Sequence, residues 1–377
     1  MLMSRLRDVP ECREEYNPAR LTLARKRRGL TKKELAELIG VDLRSVVAYE
    51  ANRIPKEEVF QRIQGILKFP AAFFLGSDLE VPSESSVSFR AMTKMRAWQR
   101  DMALGQGAIC LHLNNWLEAK FDLPLPLLPD LSRESSPEAA SETLRREWAM
   151  GELPIRNTVH LLEAKGVRVF SLCIEAREVD AFSTWKESTP FVFLNLHKTS
   201  EHGRFDAAHE LGHLVLHRHG APNGREAERE ADAFAAAFLM PRGSVLANAP
   251  RFATLERLIK LKRNWGVSVA ALNHRLHQLG LLSDWQYRTL CIEIAKNGYR
   301  TAEPEGCERE GSLLLTKVLN QLHGEGVSRG QIATELCITN DELNEMMFGL
   351  VMVGIDGGQA QQNRDIKRKG HQLFVVS

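Results

Sequence analysis

Three residues near the middle of this 377-residue chain have the types and spacing of a metal site: His209, Glu210 and His213. Residues four apart on a helix stand one above the other on one face, so the two imidazoles can converge on a single ion. Imidazole pairs of this kind suit Zn²⁺, and a carboxylate beside them can act as general base on a water that the ion polarises. The flanking residues support a helix: Phe205, Ala208, Leu211, Leu214 and Val215 form an apolar stripe, and Asp206 and Glu210 are acidic. Gly212 leaves room for a second helix to approach.

A catalytic zinc needs a third protein ligand. His219 lies ten residues after His209, but the pattern that uses such a histidine wants Gly where this chain has Leu216. His217 continues the first helical face, and three ligands on one straight helix cannot surround a tetrahedral ion, so it is expected to flank the pocket. The next segment offers carboxylates. Ala227, Ala231, Phe234, Ala235, Phe238 and Leu239 make its buried stripe, and Glu228 shares a face with Ala231, Ala235 and Leu239. The expected order is Glu228, then Glu230, then Glu226. Asp232 is placed to accept a hydrogen bond from a ligating histidine's other nitrogen and so fix the ring.

HELGHLVLH followed by EREADAFAAAFLMP resembles the ImmA/IrrE metallopeptidases and is similar to the wider gluzincin pattern. The resemblance implies His209, His213 and Glu228 as ligands of one Zn²⁺ per chain, Glu210 as the catalytic residue, and a protein substrate or partner such as a repressor or a toxin.

The elements that must position these residues follow from patterning. Residues 155–164 read as a helix ending at Gly166, VRVFSLCI as a strand, and 180–185 and 190–194 as two more strands. Val192 to Asn195 is either a sheet edge to which an extended peptide adds or a plain core strand. Helices continue beyond Pro241 to about residue 297; WGVSVAALNHRLHQLGLL within them is expected to be packing helix. Residues 326–347 form a further helix-turn-helix-like pair whose second helix is acidic through Asp341, Glu342 and Glu345, which suits protein contacts better than DNA. The last stretch reads as a tail.

The N-terminal region has a different chemistry. Up to Lys68 it carries fifteen Lys and Arg against ten Asp and Glu, although the whole chain has a net charge of only +2. A helix over Leu21 to Arg28 ends at Gly29, Thr31 caps a second that runs to Ile39, and Asp42 caps a third after Gly40. Leu35, Ala36, Ile39, Val41, Val46 and Tyr49 are spaced to form a small core. LTKKELAELIGVDLRSVVAYE resembles the XRE, or lambda-repressor-like, helix-turn-helix family. That resemblance implies binding of operator DNA in the major groove by the third helix, which exposes Leu43, Arg44, Ser45 and Ala48. By position in the pattern, Lys32, Leu43, Arg44 and Ala48 face bases, and Arg25, Lys26, Lys33 and Arg53 face phosphates. A homodimer is expected.

Composition bounds the rest. The chain is 44% hydrophobic and 26% charged, ordinary for a soluble globular protein, with no signal-peptide core and no apolar run of the ~18 residues that a membrane span needs. A cytoplasmic protein with no membrane contact is expected. Six cysteines, at 12, 110, 173, 291, 307 and 337, lack paired spacing and suggest single buried thiols rather than disulfides or a thiolate zinc site.

The expected fold class is mainly α with a small β-sheet (α+β): a helix-turn-helix domain over 1–76, a linker over 77–88, and a helical connector over 89–150, whose helical pattern runs from Phe89 to Phe121. A gluzincin-like metallopeptidase domain over 151–300 and a helical C-terminal region over 301–377 follow. The functional expectation is a transcriptional regulator fused to a zinc metallopeptidase. Its rival is a non-catalytic transcription factor, or the antitoxin of a toxin-antitoxin pair, in which the second domain senses or binds a partner.

Overall fold

The structure, a computed structural model, describes residues 15–83, 87–89, 96–172, 181–219 and 224–351. It is mainly helical with one four-stranded sheet, as expected. Cys12, Cys173 and the C-terminal tail lie outside the described residues.

The N-terminal helices begin where the capping chemistry places them. Asn17 caps α1 (Pro18–Arg27), accepting from the Ala19 N–H. Thr31 and Glu34 form a capping box on α2 (Lys32–Ile39), which ends at Gly40 with φ +68°. Asp42 caps α3 (Leu43–Ala51) through the Ser45 N–H. Leu21, Ala24, Leu35, Ile39 and Val46 are fully buried between them, and α4 (Glu57–Leu67) and a short 3-10 turn at Ala71–Leu75 close the module.

A long helix, α5 (Ala97–Lys120), runs between this module and the sheet. Two glycines allow its close approach on both sides. A Cβ at Gly105 would lie 3.1 Å from the Arg27 Cα of α1, and one at Gly107 would lie 3.2 Å from the Phe182 ring. The helix does not start at Phe89: Ser88–Phe89 form strand β1, and α5 begins at Ala97. After α5 come α6 (Pro137–Glu147) and α7 (Thr158–Ala164), the latter starting three residues later than the pattern suggested because Asn157 is its cap.

Strands β2 (Arg168–Ser171), β3 (Ala181–Lys186) and β4 (Thr189–Leu194) join β1 in the order β1-β3-β4-β2. β3 and β4 form an antiparallel hairpin from Ala181↔Leu194 to Lys186↔Thr189, and β2 pairs parallel to β4. β4 is therefore an interior strand, with Phe191, Val192 and Phe193 fully buried. The edge alternative for Val192 to Asn195 does not hold, and the plain core alternative does.

Against β3 and β4 lies α8 (Ser200–Leu216), and against α8 lies α9 (Arg225–Leu239). Gly212 is the contact point: a Cβ there would stand 3.3 Å from the Ala231 Cα. Helices α10 (Arg242–Asn248), α11 (Leu255–Lys262), α12 (Val269–Gln278) and α13 (Asp284–Lys296) follow. The C-terminal helices are α14 (Leu313–Gly324), α15 (Arg329–Glu335) and α16 (Asn340–Met347). The acidic face of α16 meets α1 of this same chain: buried Glu342 pairs with Arg27 at 3.2 Å and with Arg28, and Glu345 pairs with Arg27.

None of the described cysteines is in a disulfide; Cys110 is fully buried and Cys291, Cys307 and Cys337 are half-buried, so burial of single thiols holds strictly for Cys110 alone.

Candidate metal centre and nucleic-acid interface

The metal motif lies in the second half of α8, where the helix is covered by β3 on one side and α9 on the other. His209 and Glu210 are fully buried and His213 nearly so. The Nε2 atoms of His209 and His213 are 3.1 Å apart, and each is 3.5 Å from a different oxygen of Glu228 on α9. A tetrahedral zinc with bonds of about 2.0 to 2.1 Å needs ligand atoms about 3.3 to 3.4 Å apart. Two imidazoles and one carboxylate at these separations fit such an ion, and the same three residues form a metal-competent group among the described residues.

The electrostatics favour the protonation states that bind metal. Burial pushes the His213 imidazole down to about 4, against the pull of Glu228, so it is neutral near pH 7. Burial works to raise the Glu228 carboxyl, but its closeness to the His209 and His213 imidazoles outweighs it and holds the group at about 2.

The outer nitrogens are engaged too. Asp232 Oδ1 accepts from His209 Nδ1 at 2.9 Å. His213 Nδ1 faces His217 Nδ1 at 3.1 Å, and His217 Nε2 faces Glu230 at 2.8 Å. The other ligand candidates are thereby accounted for. Glu230 belongs to His217, Glu226 pairs with Arg229 on the surface, and His219 turns away to Asp130 at 3.1 Å. Opposite the triangle, the Ser183 hydroxyl of β3 donates to Glu210 Oε2 at 2.7 Å. A half-open cavity of about 510 Å³ adjoins Asp232, walled by Phe205, Ala236, Ala271 and His274.

Sequence reasoning missed Ser183, because nothing in the alternation of β3 specifies which residue lies against Glu210. It treated Glu230 as a rival ligand; the i, i+4 step from His213 to His217 was the available sign that this carboxylate had a different histidine to serve.

On the N-terminal module, α3 exposes Leu43 and Arg44, with Ser45 and Ala48 half-buried. Val47, unassigned from sequence, is also exposed and stands four residues from Leu43, a spacing that could have found it. The expected phosphate contacts divide. Arg25 is turned inward: it is buried, pairs with Glu50 at 2.5 Å and donates to the Leu30 carbonyl. Lys26 is tied to Asp101 of α5 at 3.1 Å, and Lys32 to Glu50 at 3.1 Å, although both remain partly exposed. Lys33 stays exposed beside Glu37, and Arg53 lies exposed over the Tyr49 ring. Glu50, 3% exposed in its side chain, is the residue that redirects Arg25 and Lys32 inward.

Two family models match the chain. Residues 21–74 match the helix-turn-helix model, and residues 162–277 match the model for an IrrE N-terminal-like domain, in the order that the sequence motifs imply. No curated protein matches the chain. Among the described residues, no helix is long and apolar enough to cross a membrane.

Proposed function

We propose that this chain, which joins an XRE-type helix-turn-helix domain to an IrrE/ImmA-like domain, is a cytoplasmic, homodimeric transcriptional regulator. In this reading the second domain is a zinc metallopeptidase that cleaves or recognises a protein partner such as a repressor or a toxin. The observation that carries the reading is the convergence of His209, His213 and Glu228, with the two Nε2 atoms 3.1 Å apart and each 3.5 Å from a Glu228 oxygen, a group that could hold a metal ion.

His209, His213 and Glu228 would hold one zinc per chain. When bound, the ion supplies Lewis acidity, activating a water molecule and polarising the scissile carbonyl. Asp232 and the His217–Glu230 pair keep the two inner imidazoles in the tautomer that presents Nε2. Glu210 accepts the proton that the water gives up, then returns it to the leaving amine, with Ser183 Oγ–H fixing one carboxylate oxygen meanwhile.

A second reading rests on the closed surroundings of Glu210, which is fully buried with its carboxylate held by Ser183. Under it, the domain binds a partner without cutting it, as in an antitoxin or a sensor.

Glu210→Gln separates the two. The substitution keeps shape and hydrogen bonding but removes the base. With zinc content matched to wild type, cleavage of a partner that co-purifies from cells is expected to fall by at least ~10². A partner that binds both proteins and is cut by neither selects the second reading.

A further inference from the structure

The third helix of the N-terminal module presents a face of unusual composition for a DNA reader. Leu43 is 47% exposed and Val47 is 45% exposed, and they stand one turn apart on α3. Ala51, exposed, and Ala48, half-buried, continue the same side of the helix. Arg44 is the only charged side chain among these five exposed or half-exposed positions. Elsewhere in α1 to α3 the large apolar residues are packed inside, apart from Leu38 at 52%.

We infer that α3 reads thymine methyl groups: the operator carries a run of thymines where Leu43 and Val47 lie in the major groove, with Arg44 making the one polar base contact. This inference rests on the DNA-binding reading above and specifies its ligand. Base edges in the major groove are polar except for the thymine C5 methyl, the one feature that an aliphatic side chain can match. Against guanine, cytosine or adenine edges, Leu43 and Val47 would strip water from donors and acceptors and return no hydrogen bond.

The helix-turn-helix match over residues 21–74 argues for DNA rather than a second copy of this chain as the occupant of this face. Arg44, Lys33, Arg53 and Lys56 are exposed on or beside the helix-turn-helix, interspersed with exposed Glu34, Glu37, Asp42, Glu57 and Glu58. Two copies meeting face to face through Leu43 and Val47 would place two Arg44 side chains in one interface, because a two-fold contact pairs each patch with itself. A phosphate backbone instead neutralises those cations.

The test uses the full-length protein and a pool of random duplexes. Binding sites are enriched, and the affinity of the best site is compared with that of the same duplex carrying uracil for thymine, which removes only the methyls. The enriched site is expected to contain adjacent thymines, and uracil replacement to weaken binding about 4-fold per contacted methyl, roughly 15-fold for two. Leu43→Ala combined with Val47→Ala should bring the thymine-to-uracil ratio close to 1 without changing the salt dependence that phosphate contacts set. A wild-type protein that selects a site yet binds its uracil form equally well overturns the inference and leaves the regulator reading standing. So does a Leu43→Ser protein that sediments as a smaller species while selecting DNA as before, since the face then belongs to a second copy. Failure to retain any duplex at low salt overturns both readings together.

Discussion

The two functional regions of this chain hide their chemistry in opposite ways. At the candidate metal centre the two imidazoles and Glu210 are buried, and the carboxylates that meet the imidazoles come from the adjacent helix. On the helix-turn-helix the groups of interest are exposed, and what decides their role lies elsewhere in the fold. The spacing of His209 and His213 determines which face they share wherever α8 is placed, and Glu228 with Asp232 repeats that spacing on α9. Arg25 carries no comparable signal. Its spacing suggests a phosphate contact, and only the position of Glu50 on α3 turns it inward. Short-range periodicity thus encodes a site made of helical faces, whereas a surface cation's role depends on which carboxylate reaches it first.

The largest expected effect tests the buried side. His213→Ala removes one corner of the triangle, and a site with two remaining ligands should not retain zinc through gel filtration. Elemental analysis should find close to one zinc per chain in the wild type and almost none in the variant, with the circular dichroism of both unchanged. Wild-type protein purified without chelator yet free of zinc would remove the contrast on which the comparison rests.

Next in size is the pair that redirected the exposed side. Arg25 and Glu50 are 7% and 3% exposed in their side chains, so removing Arg25 breaks a buried pair and leaves the Glu50 carboxylate with Lys32, at 3.1 Å, as its remaining cation. Arg25→Met should destabilise the N-terminal module by about 3 to 5 kcal/mol, seen as an earlier chemical-denaturation midpoint. Lys33→Met, at a side chain 76% exposed, should stay within ~0.5 kcal/mol. If Arg25→Met folds as well as wild type and loses DNA affinity alone, Arg25 is a phosphate ligand after all.

How much of the molecule was legible follows the same division. The helix-turn-helix was readable because Thr31 and Asp42 cap its second and third helices, although α1 begins at Pro18 behind its cap Asn17 rather than at Leu21; α8 and α9 were readable because their stripes are complete. The interior place of β4 was not readable, since a run such as FVFL is equally apolar in an edge or a centre strand; β2, more than twenty residues earlier, supplies the second partner. Nor was the contact of Glu342 with Arg27 and Arg28, which joins residues more than three hundred positions apart.

Glu163 extends the buried side to a charge with no spacing signature at all. It accepts from the backbone N–H groups of Leu313 and Leu314 at 2.9 and 3.0 Å and from Ser312, fastening α7 to the start of α14. Burial raises its carboxyl from 4.5 to about 7, against those hydrogen bonds. The native state therefore holds a proton that the unfolded chain has released between these two values. Its contribution is fully present below about pH 4.5 and is lost as pH rises through about 7. Denaturation at pH 5 and pH 8 should show wild type losing on the order of 3 kcal/mol more over this interval than Glu163→Gln does. Parallel pH profiles for the two proteins would show that Glu163 is charged throughout.

The smallest effect is the sharpest test of the comparison, because it asks how far the buried order extends beyond the triangle. Glu230 touches neither of the inner histidines; it faces His217 at 2.8 Å, and His217 in turn faces His213 at 3.1 Å. With Glu230 accepting from Nε2–H, His217 is left with Nδ1 as an acceptor, so His213 must donate from Nδ1 and keep its Nε2 lone pair free for a ligand. Glu230→Gln can place an amide N–H at the same position, which favours the other His217 tautomer and removes that acceptor. Competition with a chromophoric chelator should show zinc affinity lowered by about 10 to 100-fold, as for loss of an outer carboxylate partner, with stoichiometry still one per chain. Glu226→Gln, on the exposed side of the same helix, should leave affinity unchanged, because Glu226 pairs with Arg229 on the surface. Equal affinities for wild type, Glu230→Gln and Glu226→Gln would confine the metal-positioning order to the triangle and Asp232.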